Sequence, residues 1–68
     1  NERMVVLEDV LSTGGAVLRA CEILRDHNIT IAHIIGVINR EEGAIENIHK
    51  KGYTVDALIT ATDLQEIE

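Results

Sequence analysis

The chain has 68 residues, 46% of them hydrophobic, with six Lys and Arg against twelve Asp and Glu and a formal net charge of −6. That length holds at most one small domain, and the acidic balance argues against nonspecific binding to nucleic acid or to an anionic membrane, both of which want a basic patch. No apolar run approaches the roughly 18 residues of a membrane helix. No secretory signal is visible, and the lone Cys21 cannot form an internal disulfide, so the expected setting is a reducing cytoplasm.

Met4–Leu7 reads as a short buried strand. Glu8 and Asp9 follow it, and Ser12-Thr13-Gly14-Gly15 reads as a turn. From Ala16 to about Asp26, Val17, Ala20, Cys21 and Leu24 fall at helical spacing, with Leu18 and Ile23 widening the stripe. His27-Asn28 closes this helix, Asn being suited to a left-handed cap. Thr30–Ile38, rich in Ile and Val with a gap at Gly36, is the best strand of the chain. Asn39-Arg40-Glu41-Glu42-Gly43 is a polar break. Ala44 to Lys51 is a short helix with Ile45 and Ile48 inward, stopped by Gly52. Thr54–Ile59 is a third strand, and Thr62-x-x-Gln65 resembles a capping box for a terminal helical turn.

The order β-α-β-α-β-α predicts an α/β fold with parallel strands joined by right-handed crossovers. Strands apolar on both faces expect cover on both sides, a three-layer arrangement. Three strands and two or three helices barely supply it, so the chain is expected to be a piece of a larger domain or to need a partner that completes its sheet.

In open parallel sheets ligands bind beyond the carboxyl ends of the strands. Glu8, Asp9 and the Ser12–Gly15 turn sit beyond the first strand, and Asn39, Arg40 and Glu41 beyond the second. If those strands are neighbours, both sets face one crevice. A Ser/Thr/Gly turn at a helix N-terminus suits a phosphate, and carboxylates suit sugar hydroxyls, so the pair describes a site for a phosphorylated sugar. The turn could instead be a plain helix cap, and the acidic pair a solvated strand terminus. Arg40 suits capture of a carboxylate or other planar oxyanion, or it pairs with Glu41 or Glu42 at the surface. Neither a P-loop nor a dinucleotide fingerprint occurs. His27 and His49 read as helix-surface residues, His33 as a strand residue and Cys21 as core.

The run from Val5 to Ala16 resembles the phosphoribosyl-pyrophosphate (PRPP) motif of the type I phosphoribosyltransferases. The continuation Val17-Leu18-Arg19-Ala20, the segment Ile38-Asn39-Arg40-Glu41-Glu42-Gly43 and the stretch Ala57–Leu64 make the orotate branch the most similar. The resemblance spans nearly the whole chain and corresponds to the C-terminal third or so of a family member. It implies a Rossmann-like parallel sheet and transfer of 5-phosphoribosyl from PRPP to orotate, giving orotidine 5′-monophosphate and pyrophosphate in pyrimidine biosynthesis. Mg²⁺ would be bound mainly through PRPP, and the enzyme would be a homodimer.

By the same resemblance Glu8 and Asp9 would lie at the ribose hydroxyls. The turn Val10, Leu11, Ser12, Thr13, Gly14, Gly15 and Ala16 would wrap the 5′-phosphate. Ser12 and Arg40 would contact orotate. Asn39 stands where the family usually has Asp, and Ala44 where Gly is frequent. The family's lysine-rich catalytic loop and pyrophosphate-binding loop precede the motif. No catalytic residue is therefore expected within these residues, and the 68 residues alone are expected to turn over little. The alternative implied by the same residues is a non-catalytic PRPP-binding or regulatory module.

Overall fold

The computed structural model describes residues 2–67, with side-chain surroundings for residues 2–65. Strand β1 (Glu2–Leu11) leads to helix α1 (Gly15–Asp26), β2 (Ile29–Asn39), α2 (Ala44–Lys50), β3 (Val55–Thr60) and α3 (Ala61–Ile67). The strands form one parallel sheet in the order β1-β2-β3. The expected alternation is therefore present, and with it the α/β class.

Both crossovers step the same way along the sheet, so α1 and α2 share one face. Val17 and Cys21 of α1 and Ala44 and Ile48 of α2 bury against Leu11, Ile34 and Val55 in one core. Helix ends follow local chemistry. Asn28 adopts φ 64° after α1, and Gly52 adopts φ 89° after α2, the left-handed stops expected of these residues. α2 turns Ala44 and Ile48 into the core, and Ile45 is only half-buried.

The opposite face carries Val5, Leu7, Val37 and Leu58, with Leu7 and Leu58 at 73% and 69% exposure. Among the described residues α1 and α2 cover one side of the sheet and apolar strand residues stand open on the other, so two of the expected three layers are built here.

Register positions the site. Leu11 pairs with Asn39, and Asn39 with Thr60, so the three strands finish in one row. The segments Ser12–Gly14, Arg40–Gly43 and the start of α3 consequently emerge side by side. A register shift between Met4 and Val5 lies at the far end of the sheet and leaves this row undisturbed.

Gly36 explains the apolar gap in β2. A Cβ there would stand 2.6 Å from Cγ of Leu11, a side chain that is itself fully buried. The glycine lets Leu11 fold over β2 at the root of the first turn. Gly36→Ala is expected to lower the unfolding free energy by about 1–3 kcal/mol through overpacking. The urea midpoint would fall at unchanged m value. The same substitution in a Leu11→Ala background should lose much less, because the clash is then gone.

Candidate functional site

β1 runs through Leu11, further than the expected Met4–Leu7, because its backbone stays paired with β2 through Leu11–Asn39. Glu8 and Asp9 therefore lie within the strand and not beyond it, and neighbouring strand residues point to opposite faces. Glu8 is half-buried, paired in register with Gly36, and lines a small cleft with Val10, Ser12, Gly14 and Ala16. Asp9 is exposed, and its Oδ1 accepts the N–H of Val10 at 2.9 Å. Of the pair, only Glu8 borders the turn.

The turn makes a tight corner between β1 and α1. Gly14 is buried at φ 89°, and Gly15 begins the helix. The N-cap glycine makes no side-chain cap bond, and the first turn of α1 carries no acidic residue. The Thr13 hydroxyl accepts the Gly15 N–H at only 3.4 Å. The helix start therefore presents N–H donors with weak internal satisfaction and a positive dipole end, an arrangement that favours an anion. Ser12, Thr13, Gly15 and Ala16 are exposed around it. Leu11 is buried, so it offers the site backbone only, and Val10 keeps an exposed side chain.

The second segment is anchored on both flanks. The Arg40 N–H donates to the Leu11 carbonyl at 2.9 Å, tying it to the base of the first turn. Asn47 of α2 donates its side-chain amide to the Thr13 carbonyl at 2.8 Å. Asn39 accepts the Glu41 N–H at 2.9 Å, and Glu41 sits at φ 62°. Glu41 Oε1 then accepts two bonds from Thr62 of α3, from its N–H at 2.9 Å and its hydroxyl at 2.6 Å. These bonds hold the Glu41 carboxyl below its ordinary value. The Arg40 guanidinium lies 59% exposed, 3.6 Å from Glu42. Among the described residues no hydrogen bond or ion pair joins its side chain to Glu8, Asp9 or Ser12. Backbone register brings Arg40 to the turn, while its side chain stays free in solvent with Glu42.

The capping box lies two positions before the expected Thr62–Gln65. Thr60 Oγ1 accepts the Asp63 N–H at 3.1 Å, and Asp63 Oδ2 accepts the Thr60 N–H at 3.0 Å. The hydroxyl of Thr62 is thereby free for Glu41. Sequence reading gave Asn47 no role, and it placed Glu41 at the crevice and Thr62 in a cap without the contact between them. Both contacts join segments 21 or more residues apart, and no local pattern marks them. Thr60-x-x-Asp63 could have been found as a capping signal.

His33 bridges Thr54 and Asp56 across β2 and β3, at 2.5 and 2.9 Å. It lies in the sheet away from the loop row. A larger cavity, about 560 Å³, opens at the amino-terminal edge among Arg25, Thr30, Lys51 and Tyr53. Its cations sit at the C-terminal ends of α1 and α2, where they offset the negative dipole ends. Among the described residues no helix N-terminus opens into that cavity, whereas the start of α1 lines the smaller carboxyl-edge cleft, which is therefore the better match for the phosphate turn.

The chain is 45% identical over 65 residues to orotate phosphoribosyltransferase of Pyrococcus abyssi, covering 96% of this chain and 36% of that protein. The chain is homologous to one segment of the orotate phosphoribosyltransferases. It spans about a third of the length of the curated relatives it matches. No protein-family model matches it. The orotate phosphoribosyltransferase of Aeropyrum pernix superposes with a TM-score of 0.89 at 29% identity, covering 98% of this chain and 41% of that one. The Mycobacterium tuberculosis enzyme, solved with PRPP, superposes at 0.87 and 29% identity over 91% of this chain and 37% of that one. The fold is that of the type I phosphoribosyltransferases.

Proposed function

We propose that this chain supplies the phosphoribosyl- and base-binding edge of an orotate phosphoribosyltransferase. The observation that carries the reading is the row Leu11–Asn39–Thr60, which sets a glycine-cornered helix start beside Arg40 with one backbone hydrogen bond between them. The N–H groups and hydroxyls from Val10 to Ala16 would hold the 5′-phosphate of PRPP. Glu8 would meet the ribose hydroxyls from the helix side of the sheet, and Asp9 would reach them only by a turn of the strand end. Ser12 and Arg40 would meet orotate, whose carboxylate matches the guanidinium fork.

The reaction is displacement at the anomeric carbon: the orotate ring nitrogen bonds to it and gives up its proton to water or to the departing pyrophosphate as the bond to pyrophosphate breaks. Positive charge grows on the ribose as this happens, and a carboxylate held near the sugar favours it. Mg²⁺ is expected as a companion of PRPP, since it typically takes one or two carboxylates together with substrate phosphates. Such a metal would neutralise charge on the departing pyrophosphate. The family resemblance further supports a homodimer and a cytoplasmic setting, and no helix among the described residues is long and apolar enough to cross a membrane.

The test is turnover by the complete protein carrying this segment, followed as PRPP-dependent loss of orotate with release of pyrophosphate. PRPP binding with no orotate consumed would point instead to a regulatory module.

A further inference from the structure

We infer that Glu41 is a positioning residue for the base: its carboxylate, seated on Thr62, sets the direction from which Arg40 reaches orotate. The inference rests on the base-binding reading of Arg40. The guanidinium itself is steered by little, since Glu42 on the same loop stands 3.6 Å away and both side chains are solvated. The direction of Arg40 is therefore set by its backbone. On one side its N–H is fixed to the Leu11 carbonyl. On the other side the chain passes through Glu41 at φ 62°, a conformation uncommon for residues with a Cβ other than Asn and Asp.

Glu41 is held by the Asn39 side chain at its N–H and by Thr62 at its carboxylate. Among the described residues, the two Thr62 bonds are the loop's side-chain ties to α3. The Thr62 N–H lies in the first turn of α3, so it has no intrahelical acceptor to give up. α3 thereby becomes part of the base-binding half of the site without touching the ligand.

The test uses the complete protein, with orotate and PRPP affinities measured separately by titration calorimetry. Glu41→Ala is expected to weaken orotate about tenfold while PRPP stays within about twofold. Glu41→Gln keeps an oxygen able to accept from both Thr62 groups and should stay within about threefold of the parent. Glu41→Gly relaxes the backbone without restoring the acceptor, so it should behave as Glu41→Ala. Thr62→Val removes only the hydroxyl bond and should weaken orotate selectively by about threefold. The Arg40→Ala/Glu41→Ala double variant should bind orotate no more weakly than Arg40→Ala alone. Equal losses of both ligands, or full recovery in Glu41→Gly, would overturn the inference. If Arg40→Ala weakens orotate and neither Glu41→Ala nor Thr62→Val does, only the positioning role falls. If Arg40→Ala leaves orotate binding unchanged, the base-site reading falls with it.

Discussion

Replacing Arg40 with Ala in the complete protein should weaken orotate by roughly 100-fold and leave PRPP within about threefold. A guanidinium gripping a carboxylate makes charge-assisted, often paired hydrogen bonds, each about twice as strong as a neutral one. Two such bonds account for the expected loss. Little opposes their formation, because the present partner Glu42 is a solvated contact at 3.6 Å. Arg40→Lys keeps the charge but not the planar fork, so it should recover only part of the affinity. The measurement is the ratio of the two dissociation constants. Equal weakening of both ligands would mean that Arg40 supports the whole edge and does not read the base.

The path from sequence to this site was uneven for physical reasons. Element order and strand direction followed from period and spacing, because β-branched runs and amphipathic stripes are local signals. The left-handed stops at Asn28 and Gly52 were equally local. Glu8 and Asp9 look like a strand boundary in sequence, yet backbone pairing with β2 continues through them to Leu11. That extension decides which carboxylate borders the turn. The same kind of limit hid the Glu41–Thr62 contact, which depends on the registers of three strands at once. The gap at Gly36 in β2 has its reason in Leu11, a residue 25 positions away whose side chain fills the space a Cβ would take.

Gly14→Val is expected to be the most damaging change at the phosphate turn, lowering stability by about 2–4 kcal/mol and PRPP affinity by more than about tenfold. Two independent penalties converge on this position. At φ 89° a β-branched residue is strained wherever it is placed. In addition, a Cβ would stand 3.3 Å from the Ala44 Cα and 3.4 Å from its carbonyl oxygen. Those neighbours are backbone atoms at the buried start of α2, so they cannot swing aside as a side-chain tip would. Relief must come from moving the turn away from α2. That motion pulls against the Asn47–Thr13 bond and rotates the N–H groups that would face the phosphate. Gly15 is the control. Its added Cβ would meet only the Thr13 hydroxyl, at 3.7 Å, so Gly15→Ala should keep stability within about 0.5 kcal/mol. Urea unfolding and PRPP titration on both variants separate the two effects. A folded Gly14→Val protein that bound PRPP normally would remove the phosphate from this corner, because the distortion falls on the very N–H groups assigned to it.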